Sequence, residues 1–178
     1  MKRAIIISGS LAQDHEFIYP FYRLLEENFE LDICLNEEER VKGYFGTDLP
    51  PNKNHPIKSI KKLNPNNYEI LILPGGVKAM EKVRQNKLII EFISEIHKQK
   101  KIIGCICSGT QLLISAKIVK GKNISGYYSM KDDIINAGAN YVDKPAVIDQ
   151  NIITTAHYKD MGPWMKAVLE QYYKSASR

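Results

Sequence analysis

Short apolar runs punctuate the chain at Ala4–Ser8, Leu31–Leu35, Ile70–Leu73 and Ile102–Ile106, each bounded by turn-forming or polar residues. They are continuous rather than alternating, as strands covered on both faces require. Between them the spacing becomes helical. Glu16–Glu27 sets Phe17, Tyr22, Leu24 and Leu25 around an amphipathic turn pattern, and Lys87–Lys98 sets Leu88, Ile89, Phe92, Ile93 and Ile96 at helical spacing. Two further helices are predicted over Gly109–Lys117 and Met161–Tyr173. Strands and helices in alternation predict an α/β fold, a mostly parallel sheet with helices on both faces. Two segments break the rhythm. Glu37–Pro56 is polar, carries Pro50-Pro51, and reads as a hairpin followed by a loop. Asn140–Thr155 reads as short strands around a turn at Asp149-Gln150-Asn151, the last strand running through Ile152–Ala156. No repeat, low-complexity tract or linker interrupts the pattern, so residues 1–178 are read as a single domain.

Composition narrows the classes. A chain of 178 residues buries about 70% of its unfolded surface and needs no staple or metal to hold a core. Apolar residues at 44% and charged residues at 25% exclude a disordered, collagenous or coiled-coil chain. The net charge of +5 comes from 20 Lys and 5 Arg against 20 acids, and the lysines are scattered. No segment interleaves aromatics with arginine, so no nucleic-acid partner is expected. No apolar run approaches the roughly 18 residues of a membrane span, and Met1-Lys2-Arg3 leads straight into a strand without a signal-peptide pattern. A cytoplasmic protein without a membrane partner is the expectation. Three cysteines, Cys34, Cys105 and Cys107, are an odd count that argues against a disulfide framework. Cys105 and Cys107 point the same way along a strand, but no second Cys/His pair accompanies them, so no metal site is expected.

The candidate chemistry sits where the strand Ile102–Ile106 runs into the next helix. Cys107 occupies that junction, in the strand-turn-helix setting of a nucleophile elbow, with Gly109 expected to permit the sharp turn. A thiol at a helix N-terminus meets free N–H groups and the positive end of the dipole, which favours the thiolate. It also lands at the carboxyl end of a strand, where open α/β sheets bind ligands. Cys34 and Cys105 read as buried structural cysteines.

Cys107-Ser108-Gly109 after one apolar strand, Leu73-Pro74-Gly75-Gly76 after another and Glu16-Phe17-Ile18-Tyr19-Pro20 after the first resemble the ThiJ/PfpI superfamily, closest to its PfpI-type intracellular peptidases. The likeness extends through Met80-Glu81-Lys82-Val83-Arg84, Tyr127 and Lys131–Gly138, from Arg3 to about Tyr173, with gaps around residues 40–65. It implies a flavodoxin-like three-layer α/β/α sandwich and a homodimer or larger assembly, with the cysteine near a subunit interface. It assigns Glu16 as the acid that hydrogen-bonds the nucleophile sulfur, in its protonated form. It makes the amides of Gly75, Gly76 and Ser108 an oxyanion hole, Tyr127 a pocket residue, and Glu81 an acid offered across the subunit interface. No cofactor is implied.

One position departs from the pattern. Peptidase-like members carry His directly after the cysteine, and here Ser108 stands there. A hydroxyl cannot take a proton from a thiol at neutral pH, and amide cleavage lacks its proton donor. The related glutamine amidotransferases place His-x-Glu after a late strand, where this chain has His157-Tyr158-Lys159. His157 is therefore the first candidate for a replacement base and His15 the second. Two classes of function remain open. One is a cofactor-independent cysteine hydrolase or lyase acting on a small reactive carbonyl, glycated or amide substrate, free or on a protein. The other is a non-enzymatic redox-responsive stress protein or chaperone, sensing oxidation at the same thiol.

Overall fold

The computed structural model describes residues 2–177, and in it the four apolar runs pair side by side in one sheet. In chain order the elements are β1 (Arg3–Ser8), α1 (Asp14–Glu26), β2 (Glu30–Leu35), the hairpin strands β3 (Val41–Lys42) and β4 (Asp48–Leu49), and β5 (Ile70–Leu73). There follow α2 (Val77–Val83), α3 (Lys87–Lys98), β6 (Ile102–Ile106), α4 (Thr110–Ser115), β7 (Asn123–Ile124) and α5 (Lys131–Asn136). The chain then forms β8 (Asn140–Tyr141), β9 (Val147–Asp149), β10 (Ile152–Thr155) and α6 (Met161–Ala176).

The main sheet has the order β2-β1-β5-β6-β10-β9, parallel throughout except where β9 meets β10. Helices α1 and α6 pack together on one face, while α2, α3 and α4 pack together on the other. This is the flavodoxin-like three-layer α/β/α sandwich. Ile5, Ile6 and Ile7 of β1 and all four residues of β5 are fully buried between the helical layers. Each such side chain contributes roughly 1.5–3 kcal/mol of burial, which is why these strands read as unbroken apolar runs. Trp164 of α6 lies in the same core with its indole N–H donating to the Ile153 carbonyl, 3.0 Å away.

Element boundaries shift where local hydrogen bonds decide them. Helix α1 begins at Asp14, two residues earlier than the apolar pattern suggests, because the Gln13 side chain caps it by accepting from the Glu16 N–H. Helix α4 is shorter than the predicted Gly109–Lys117, since a 3-10 turn over Cys107–Gly109 precedes it. Helix α6 runs three residues further, to Ala176. Helices α2 and α5 span seven and six residues, too short to show a period in sequence. No helix among the described residues is long and apolar enough to cross a membrane.

Candidate active site

Four parallel strands, β1, β5, β6 and β10, deliver their carboxyl ends to the same rim of the sheet. Strand β1 lies between β2 and β5, so the chain order reverses around it, and this is where α/β sheets open a crevice. Cys107 follows β6 directly, Gly75 and Gly76 follow β5, Glu16 stands in the first turn of α1, and His157 follows β10. Together they border a cleft of about 1030 Å³, lined by Glu16, Gly76, Cys107, Ser108, Tyr127 and His157.

The sharp turn is made by the cysteine itself. Cys107 has φ of +58°, a left-handed conformation that costs a side-chain-bearing residue about 1–3 kcal/mol. Gly109 has an ordinary φ of −54° and does not supply the turn, contrary to the sequence expectation. Glycine is needed at 109 for space, because a Cβ there would stand 2.6 Å from the Leu73 carbonyl oxygen.

Glu16 is fully buried, and its Oε2 accepts from the Gly75 N–H at 2.7 Å. Its Oε1 has no partner at full hydrogen-bond geometry, and the Cys107 thiol faces the carboxyl closely enough to perturb it. Gly75 makes this meeting possible. A Cβ at 75 would collide with Glu16 Oε2 and stand 2.8 Å from the Cys107 Cβ and 2.9 Å from the Ser108 nitrogen.

Burial pushes the Glu16 carboxyl up to about 7, against the opposing pull of the Gly75 N–H and the Cys107 thiol. Burial, and then the Glu16 charge, push the Cys107 thiol up to about 12, while the Ser108 amide and hydroxyl pull it down. The thiolate expected from the helix N-terminus is therefore outweighed. The reason is physical: α4 is six residues long and begins three residues beyond the sulfur, and dipole effects die off within a turn. Burial thus favours the protonated form of both the thiol and the carboxyl.

The oxyanion set also changes. The Gly75 N–H is committed to Glu16 and cannot face a substrate. Gly76 and Ser108 both line the cleft, and the Ser108 N–H is directed toward the sulfur. The Ser108 hydroxyl lies 3.9 Å from the Cys107 sulfur. Tyr127 donates its backbone N–H to the Cys107 carbonyl at 3.2 Å and lines the cleft. Glu81 is exposed on α2 and borders the same cleft in its own chain.

His157 lines the cleft, but its Nδ1 accepts from the Lys159 N–H at 3.1 Å. A neutral ring so engaged carries its proton on Nε2 and has no free lone pair left to act as a base. The base role suggested for it does not fit this geometry. His15 borders a neighbouring groove with Asp14, Ile18 and Phe45 instead of the Cys107 cleft.

Several lining residues carried no sequence signal strong enough to single them out. Tyr44 and Phe45, at the tip of the β3–β4 hairpin, form part of the wall. Asp14 holds that tip by accepting from the Phe45 and Thr47 N–H groups at 2.8 and 3.0 Å. Burial alone would raise the Asp14 carboxyl, but these donors hold it below its usual value. Arg84 and Gln111 line another part of the cleft; only the four-residue spacing from Cys107 to Gln111 could have marked the latter.

Residues 2–171 match the DJ-1/PfpI family along almost the whole chain. The chain belongs to the DJ-1/PfpI family. It is 33% identical over 164 residues to "Deglycase PfpI" of Pyrococcus furiosus, covering 92% of this chain and 95% of the relative. It is 31% identical to "General stress protein 18" of Bacillus subtilis, over 89% of this chain and 90% of that one. Among solved structures, a two-domain Anabaena variabilis protein with DJ-1/ThiJ/PfpI-like and ferritin-like domains superposes with a TM-score of 0.89 at 28% identity. That match covers 96% of this chain and 48% of the Anabaena protein.

Proposed function

We propose that this DJ-1/PfpI protein is a cofactor-independent cysteine hydrolase or lyase acting on small reactive carbonyls or their glycation adducts. Cys107 is the nucleophile and Glu16 takes and returns its proton. The observation that carries this reading is a fully buried carboxyl, held by the Gly75 N–H and pushed up by burial, facing the one described cysteine that opens onto the cleft. Cys34 and Cys105 are buried away from it.

The chemistry follows from the geometry. The sulfur attacks the carbonyl carbon, forming an S–C bond while the π pair moves to oxygen. The thiol proton passes to the ionised Glu16 carboxylate, so no imidazole is needed for this step. The N–H groups of Gly76 and Ser108 receive the developing oxyanion. Protonated Glu16 then returns the proton to that oxygen, or to the departing amine of an adduct, leaving a hemithioacetal. Transfer of the hemithioacetal's carbinol proton to the neighbouring carbonyl carbon makes a thioester, which water hydrolyses to the hydroxy acid and the free thiol. An amide would need a strong proton donor at its leaving nitrogen, which the position after Cys107 lacks. Carbonyl adducts are thus favoured over peptides, in line with the deglycase name of the Pyrococcus relative. The exposed Glu81 at the cleft mouth is in keeping with a homodimer whose second copy covers it.

Turnover of methylglyoxal and of methylglyoxal-treated N-acetyl-lysine tests the reading. Cys107→Ser should abolish activity, and Glu16→Ala should lower it by the roughly 10²–10⁴-fold typical of an acid–base group. Activity surviving in Cys107→Ser would refute it.

A further inference from the structure

We infer that the Cys107 cleft contains a carboxylate-binding subsite built on Arg84, and that its substrate is a carbonyl or acyl compound bearing a carboxylate. The inference rests on the reading of Cys107 as the nucleophile and adds the class of molecule presented to it. Arg84 stands just beyond the end of α2, half-buried, on the wall of the cleft. Its Nε donates to Ser115 Oγ at 3.0 Å and its Nη1 to Gln111 Oε1 at 3.2 Å. Both acceptors are neutral, and both belong to α4.

No carboxylate of the described residues lies within 4.0 Å of this guanidinium. Arg3 and Arg23 are each held by two acids, whereas Arg40, like Arg84, bonds a neutral acceptor, the Asn52 carbonyl, but lies away from the cleft. A half-buried cation normally acquires a counter-charge, because partial desolvation penalises the unpaired ion. Here two neutral bonds orient the fork and leave the Nη2 donors without a described protein acceptor. A pre-oriented guanidinium is the group best suited to bind a planar carboxylate.

Its placement relates it to the chemistry. Gln111 is buried, and Gln111, Arg84 and Cys107 all line the one cleft. A ligand of a few atoms can therefore rest its carboxylate on Arg84 and present an electrophilic carbon to the sulfur. Lys78, Glu81 and Asp133 also border the cleft, but all three are exposed. Solvent screens their charges far more than that of Arg84.

Two alkylating agents of nearly equal shape test the inference, anionic iodoacetate and neutral iodoacetamide, with Cys107 labelling followed by peptide mapping. In the unsubstituted protein, the iodoacetate rate should saturate with concentration and be suppressed by glycolate, while the iodoacetamide rate rises linearly. Arg84→Gln should lower the ratio of iodoacetate to iodoacetamide rates by about tenfold or more, the worth of one charge-assisted hydrogen bond. Lys78→Gln should leave the ratio in place. A ratio unmoved by Arg84→Gln, or an equal fall in both rates, would make Arg84 only a tie between α2 and α4 and overturn the subsite. Iodoacetate kinetics without saturation in the unsubstituted protein would do so without any variant. If iodoacetamide itself leaves Cys107 unlabelled, the nucleophile reading falls, and this inference with it.

Discussion

Glu16→Gln tests the buried carboxyl through stability, independently of any substrate. The carboxyl ionises at its usual 4.5 in the unfolded chain and at about 7 in the folded one, because burial disfavours its charge. One unit of pKa corresponds to about 1.4 kcal/mol, so a fully ionised Glu16 withholds roughly 3 kcal/mol from the folded state. Below pH 4.5 the carboxyl is protonated in both states and that stability is fully present. As pH rises through 7 the unfolded chain releases its proton more readily, and the stability is lost. Glutamine is neutral throughout, can still accept from the Gly75 N–H, and can turn its amide N–H toward the sulfur. The variant should therefore match the parent near pH 4.5 and exceed it by up to about 3 kcal/mol at pH 8. Cys107, raised to about 12, titrates above this window and does not confuse the reading. Urea unfolding of both proteins at pH 4.5, 6, 7 and 8 measures the difference. A stability gap that stays constant with pH would show that Glu16 is not the group this geometry makes it.

Gly75→Ala should cost about 1–3 kcal/mol of overpacking and slow Cys107 alkylation, since the new methyl meets the Cys107 Cβ at 2.8 Å and the Ser108 nitrogen at 2.9 Å. Urea midpoints and iodoacetamide kinetics check both effects. Asp14→Ala should free the hairpin tip by removing the acceptor of the Phe45 and Thr47 amides. Hydrogen exchange should then accelerate at those two amides and remain slow at Ile72 in the centre of the sheet.

The layered fold was legible because its core strands cannot disguise themselves. Strands β5 and β6 begin and end at the predicted residues, since burial on both faces demands an unbroken apolar run and a polar or Pro-Gly boundary. Helix α3 was equally plain, with Ile89, Phe92, Ile93 and Ile96 filling one buried stripe. The partners of the site were harder to read, because they depend on where distant segments meet. Whether the Gly75 N–H is free depends on a carboxylate 59 residues earlier, and no local pattern encodes that contact. The left-handed Cys107 gave no warning either, because cysteine is not a residue type that advertises positive φ. The engagement of the His157 ring was not legible either, because it caps the Lys159 amide two residues on. The pairing of Arg84 with Gln111 joins two short helices whose periods are too brief to orient their faces in advance.

The strand order also dictates when the site comes into being as the chain is made. Strands β1, β2, β5 and β6 emerge first and already occupy neighbouring places in the sheet, whereas β10 lies beside β6 and is made almost 50 residues later. Until Ile152–Thr155 leaves the ribosome, β6 is an open edge carrying Cys105 and, at its tip, Cys107, and α6 has yet to cover that face. Glu16 and Gly75 both precede Cys107 in the chain, so the carboxyl that restrains the thiol is synthesised before it. Closing β6 on its open side thus waits for the last parallel strand to be made, so enclosure of the sulfur depends on the C-terminal quarter of the chain.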